Sequence, residues 1–304
     1  MASVLDSAAS FQPQIAGKHG AIERWKTWLT TGARYVLLSV FALFFVVPFA
    51  WMFLASFKPQ AEIFQYIYPV GWKTFIPQMW TLENFRTLLE LQPYPFTHYV
   101  LNSVFVAVAV TLSSLVVNAM AAYAFAKLEF PGRNLLFALF LSTTIVPFEV
   151  VAIPLYLEMK TFNWVNSYDA LIIPWVANAL GIFLLRQFFA DIPRDLIDAA
   201  KIDGCSHLSA FRRIVIPNAV PAMITFALIR FQASWDSFLW PLIVAPSPEK
   251  RVVQVAIATF ATEAQTQWGL TFAASTLATL PIIMLFVFLQ RYYVQGITTT
   301  GIKG

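Results

Sequence analysis

The chain has 304 residues, 59% hydrophobic and only 12% charged. Soluble domains carry about 25% charged and about 45–50% apolar residues, so the composition excludes a soluble globular protein and points to one that crosses a membrane several times. The net charge of +4 fits basic cytoplasmic loops rather than nucleic-acid binding. The single cysteine, Cys205, excludes an intrachain disulfide and a cysteine metal site.

A bilayer core of ~30 Å takes about 20 apolar residues at helical rise. Six segments qualify: 35–57, 99–126, 134–157, 168–190, 217–245 and 271–293. The expected fold is therefore an all-α membrane protein with six transmembrane helices spanning 35–293. Ahead of it lies a leader, residues 1–34, whose first 20 residues are polar and read as disordered. Ala21–Arg34 mixes Trp25 and Trp28 with Arg24, Lys26 and Arg34, the pattern of an interfacial helix. No cleavable signal peptide is expected, because the first apolar run, from Tyr35, is too long for a signal core.

After the first span, residues 58–98 are expected to form a long external segment with Pro59, Pro69, Pro77, Pro93 and Pro95 and several aromatics. It suits an interfacial cap or a docking surface. Pro48, Pro147, Pro154, Pro174 and Pro281 fall inside spans. Kinks there are tolerated when neighbouring groups satisfy the freed carbonyls, so a bent bundle is expected. With the N-terminus inside, the cytoplasmic pieces hold 13 Lys and Arg and the external pieces 6. That asymmetry places both termini, and the segment 191–217, in the cytoplasm.

The segment 191–217 is a short polar island between two apolar runs. Pro193 suits a helix start, Gly204 a left-handed helix end, and Ser206 the cap of a second short helix. Arg212 and Arg213 close that helix at its negative end. The spacing Asp198-Ala199-Ala200, three residues, Gly204, nine residues, Ile214, Val215, Ile216, Pro217 resembles the coupling loop of binding-protein-dependent ABC importer permeases. There the pattern runs Glu-Ala-Ala, three residues, Gly, nine residues, Ile, any residue, Leu-Pro. Asp198 replaces the Glu and Ile216 the Leu. The bland alternative is an ordinary amphipathic connector with a helix-breaking glycine.

Other stretches resemble the carbohydrate branch of that family. Trp235-Asp236-Ser237-Phe238-Leu239-Trp240-Pro241-Leu242 resembles its fifth-span signature, where Asn is commoner at position 236. Ala55-Ser56-Phe57-Lys58-Pro59 resembles its first-span end. The tail, 294–304, resembles that of the second, maltose-type permease subunit, which reaches into the ATPase dimer; Gly301, Lys303 and Gly304 carry that likeness.

The resemblance implies a multi-pass bacterial inner-membrane permease subunit for a sugar or sugar-like solute. Its implied partners are a second permease, two ATP-binding-cassette ATPase subunits and an extracytoplasmic binding protein. It implies that Asp198, Ala199, Ala200, Gly204, Ile214 and Pro217 dock on the ATPase. No Gly-x-x-x-x-Gly-Lys-Ser/Thr phosphate loop occurs in the chain. No cofactor is therefore expected in this chain, and ATP and Mg are expected on the partner ATPase.

Ionisable groups inside spans are costly and are site candidates. Here they are Glu149, Arg230 and Asp236, with Glu158 near a span end and Asn118 and Asn178 as uncharged polar neighbours. Asp236 is six residues past Arg230, about 240° round a helix, so no direct pair is expected. Asp236 and Trp240, four apart, would share a face of a continuous helix and line a translocation path, carboxylate to sugar hydroxyls and indole to sugar face. The competing roles are a helix tie for Asp236 and an interfacial anchor for Trp240. No catalytic set or histidine metal spacing is visible, so no enzymatic activity is expected. A stand-alone secondary transporter is the alternative, which inverted repeats would favour; none is evident.

Overall fold

The computed structural model describes residues 19–261 and 266–301; side chains are described for 28–261 and 266–288. The described residues are helical apart from turns and one isolated antiparallel bridge, Ala261 to Thr266. The residues up to Phe53 form one compact unit and those from Leu54 onward a second. The first unit is essentially α1 (His19–Ala55), an unbroken helix across both the expected interfacial stretch and the first span. Of the first 20 residues, expected to be disordered, 1–18 lie outside the described residues, and His19 and Gly20 begin α1.

The second unit opens with a cap holding α2 (Trp72–Phe75) and α3 (Glu83–Leu89). A long apolar helix follows, α4 (Phe96–Lys127). Next come α5 (Arg133–Ser142), α6 (Phe148–Thr161), α7 (Tyr168–Ile172), α8 (Ala179–Asp191), α9 (Arg194–Ile202), α10 (His207–Ala210) and α11 (Ile216–Asn218). The unit ends with α12 (Val220–Trp235), α13 (Leu239–Val244), α14 (Val253–Ala258) and α15 (Trp268–Gly301).

Three helical stretches, Trp28–Ala55, Phe96–Lys127 and Trp268–Phe288, are long and apolar enough to cross a membrane unbroken. Three more arise only if each bent pair counts as one span: 103° between Arg133–Ile145 and Phe148–Thr161, 44° between Tyr168–Trp175 and Ala179–Asp191, and 82° between His207–Asn218 and Val220–Trp235. The first two bends fall within the expected spans 134–157 and 168–190; the third lies at the start of the expected span 217–245. Each break has a proline at or beside it: Pro147, Pro174, and Pro217 with Pro221. Proline lacks the N–H for the helical ladder and biases the residue before it away from helical backbone.

The 44° break shows how its freed carbonyls are satisfied. Asn118, fully buried on α4, donates from Nδ2 to the Val176 carbonyl at 2.9 Å, while its Oδ1 accepts from the Asn178 N–H at 2.8 Å. Ser114 Oγ donates to the same Val176 carbonyl at 2.9 Å. Asn178 then caps α8, its Oδ1 accepting from the Gly181 N–H at 2.8 Å. The two asparagines stitch the break to α4.

Small and aromatic residues fill the space where α4 packs along α8 and α12. Ala119, Ala122 and Tyr123 of α4 meet Leu185 and Phe189 of α8, with Ala222 and Phe226 of α12. A second cluster joins Leu88 of α3, Phe96 of α4 and Trp235 of α12 to Ala273 and Ala274 of α15.

The cap is held by buried polar groups. Lys58 is fully buried and donates from Nζ to the carbonyls of Lys73 (3.2 Å) and Thr74 (2.9 Å). Burial pushes its ammonium below the ordinary lysine range, and Glu62 partly offsets that. Glu62 accepts from the N–H groups of Gln78 (2.6 Å) and Met79 (3.0 Å). Asn84 donates to the carbonyls of Ser56 (2.9 Å) and Lys58 (3.0 Å). Lys58→Met keeps the apolar stem but leaves the buried Thr74 carbonyl and the part-buried Lys73 carbonyl without that donor, a loss of about 1–3 kcal/mol. The expected result is faster protease cleavage within 58–98 than in the wild type. Unchanged cleavage would show that the ammonium does not hold the cap.

Candidate coupling segment and transmembrane cavity

The segment after α8 builds itself from local rules. α9 ends in a complete Schellman motif: the Gly204 N–H reaches the Lys201 carbonyl at 3.0 Å, and the Cys205 N–H reaches the Ala200 carbonyl at 2.9 Å. Gly204 takes φ +81°, left-handed as the sequence predicted. Ser206 caps α10, its Oγ accepting from the Ser209 N–H at 3.3 Å. The chain then passes through a π-helical turn, Phe211–Val215, which carries Arg212 and Arg213. α12 thus starts at Val220, beyond Pro217.

One side of this segment is anchored. Ile197, Ala210, Phe211 and Val215 are buried in the core cluster of α4, α8 and α12, and Ile214 packs on its edge. Lys127, at the end of α4, donates to the Ile192 carbonyl. Arg194 Nη1 pairs with Glu129 Oε1 at 2.8 Å. That guanidinium holds the Glu129 carboxyl below the ordinary carboxylate range. Its small contribution is present above that range and is lost as pH falls through the lowered value.

The other side of α9 is open. Leu196 and Ile202 are 48% and 87% exposed, and Leu208 of α10 is 58% exposed. Leu196, Ala199 and Ile202 recur at i, i+3 and i+6, a stripe opposite buried Ile197. The motif singled out Ala199 and Ala200; it missed Leu196, Ile202 and Leu208, which helical periodicity in α9 would have found. Asp198 pairs with Lys201 at 3.6 Å on its own helix, in a groove bounded by Lys127, Glu129, Arg194 and His207. Gly204 and Pro217 are exposed.

The path candidates separate in space. Arg230 and Trp240 line one cavity of about 170 Å³, with Ser103, Trp175, Ser234 and Ser237. Asp236 does not join them. α12 ends at Trp235 with Asp236 as its C-cap, so Trp240 belongs to a separate helix, α13. The shared face assumed for Asp236 and Trp240 required a continuous helix, and that helix is broken. Asp236 instead lines a groove with Gln232, Ile282 and Leu285. Glu149 is exposed on the first turn of α6 and is not among the residues that line the cavity. Trp240 is buried and donates from Nε1 to the Ala170 carbonyl at 2.9 Å. Gly301 ends α15; Lys303 and Gly304 lie outside the described residues. Among the described residues, no cluster of His, Cys, Asp or Glu is suited to hold a metal ion.

An all-helical membrane protein with broken spans and an exposed two-helix connector is the class these features define. The family model for the binding-protein-dependent transport system inner membrane component matches residues 118–299, and the chain belongs to that family. It is 33% identical over 278 residues to the arabinooligosaccharides transport system permease protein AraQ of Halalkalibacterium halodurans, covering 91% of this chain and 97% of that one. It is 32% identical over 272 residues to the trehalose/maltose transport system permease protein MalG of Thermococcus litoralis, covering 88% and 94%. A crystal structure of a bacterial ABC transporter involved in the import of the acidic polysaccharide alginate has a chain of the same fold. The TM-score is 0.76 at 22% identity, covering 88% of this chain and 98% of that one.

Proposed function

We propose that the chain is a permease subunit of an ATP-binding-cassette importer that moves a sugar or sugar-like solute across the bacterial inner membrane. The observation that carries the reading is the connector after α8. Its backbone is held by a Schellman turn and buried anchors, while its apolar stripe at Leu196, Ala199 and Ile202 is left for a partner. Relatives named as oligosaccharide and disaccharide permeases support the cargo class.

Both termini and the connector face the cytoplasm in this reading, as the Lys and Arg asymmetry favours. A second permease completes the membrane unit. Two ATPase subunits bind ATP and Mg and press on the connector; a binding protein delivers cargo from outside. Closure of the ATPase pair moves α9, and the buried anchors pass that motion to α4, α8 and α12. Asp198, Ala199, Ala200, Gly204, Ile214 and Pro217 form or support the docking surface, and the tail residues Gly301, Lys303 and Gly304 reach toward the ATPase pair.

The test is reconstitution into liposomes. The chain alone is expected to give no uptake. With its partner permease, the ATPase pair and the binding protein, it should accumulate that protein's sugar ligand only when ATP is present. Uptake by the chain alone would overturn the reading in favour of a secondary transporter.

A further inference from the structure

We infer that the cavity at Arg230 is a subsite for a carboxylate on the cargo, so that this importer carries an acidic sugar; the inference rests on the importer reading above. Arg230 is 8% exposed, near the middle of α12. One of its terminal nitrogens donates to the Trp175 carbonyl, and its guanidinium lies 6.0 Å from the Trp175 ring centroid. Its Nε is buried without a hydrogen-bond partner.

No acidic side chain lines the cavity among the described residues. Asp236, the nearest in sequence on this element, turns toward α15 instead. A guanidinium stays charged in proteins, and a buried charge without a counter-ion is strongly unfavourable. An anion arriving in the cavity relieves that cost.

A purely mechanical role for Arg230 does not call for a charge. The neighbouring carbonyl of the same helix break, Val176, is satisfied by the neutral donors Asn118 and Ser114. A carboxylate matches the fork of guanidinium donors. The hydroxyls of Ser103, Ser234 and Ser237 and the ring of Trp240 border the same space, as a sugar ring with hydroxyl groups requires. The volume suits about one six-membered ring, judged against ~150 Å³ cavities that hold benzene.

The experiment uses the complete importer with Cys205→Ser and Ser237→Cys, which puts one thiol at the cavity wall. Labelling of that thiol is followed with sodium glucuronate or glucose present at matched ionic strength. Glucuronate is expected to protect at about tenfold lower concentration than glucose, the effect of one charge-assisted hydrogen bond. Arg230→Gln should erase that gap, and Arg230→Lys should keep part of it. Equal protection by the two sugars, protection by neither, or a glucuronate preference that survives Arg230→Gln would overturn the proposal. ATP hydrolysis stimulated by the binding protein, measured on the same particles, separates the two readings. Its absence from particles that keep Arg230 counts against the importer, whereas its presence without a glucuronate preference counts only against the carboxylate subsite.

Discussion

Replacing Gly204 with valine is expected to lower ATP-driven uptake by about five- to thirty-fold while ATP hydrolysis by the partner subunits continues. The reason is conformational. Gly204 sits at φ +81°, and a Cβ built there meets no atom within 4 Å. Crowding therefore contributes nothing. The left-handed backbone costs a residue with a Cβ roughly 1–2 kcal/mol, a factor of about 5–30 in population, and a β-branched residue pays most. That population belongs to the turn that closes α9, whose two bonds to Lys201 and Ala200 depend on it.

The order across a series is the sharper test. Asparagine tolerates the left-handed region, so Gly204→Asn should retain most uptake, Gly204→Ala less, and Gly204→Val least. Gly204→Asp, which tolerates that backbone but adds charge beside the apolar stripe, separates backbone from surface effects. Wild-type uptake in Gly204→Val, with the ATPase still attached, would show that the turn does not transmit the stroke.

The second large effect is expected deep in the bundle. Gly181 lies in the first turn of α8, and a Cβ added there would sit 2.2 Å from Phe226 Cε2 and 2.5 Å from Cζ. Phe226 is 3% exposed inside the cluster that joins α4, α8 and α12, so its ring has no free space to enter. Overpacking of this kind costs about 1–3 kcal/mol. The shift per kcal/mol shrinks as the unfolding unit grows, and Gly181→Val should lower the melting temperature of the purified complex measurably. Because the clash involves one ring, Phe226→Leu should recover part of the loss in a Gly181→Ala background. A double mutant that is merely additive would show that α8 and α12 do not meet at this point.

These two glycines show what sequence can and cannot say. Gly204 was legible because its reason is local: a helix end, a left-handed residue and a following cap are set by neighbours within six positions. Gly181 was not legible. Its reason is the ring of Phe226, 45 positions along the chain, and only packing brings the two together. Asn118 is a similar case. As a sequence it was one uncharged polar residue in an apolar run; in the fold it binds both sides of the break between α7 and α8.

The transmembrane candidates divide in the same way. Rarity of charge in an apolar chain was enough to select Arg230 and Asp236. Where each side chain goes depended on whether α12 continues past Trp235. Helical periodicity assumed that it does, and the actual break parts Asp236 from Trp240 while bringing Arg230 and Trp240 to one cavity.

By itself, then, the sequence determined the membrane class, the all-helical fold, the place of the connector and the chemistry of its turn. Hydropathy and backbone preference act over short stretches of chain, so short stretches report them. Tertiary structure alone decided which spans break, how their loose carbonyls are met, which apolar residues of α9 stay exposed and which charged group faces the cavity. Those outcomes depend on side chains far apart in sequence competing for the same buried volume and the same hydrogen bonds.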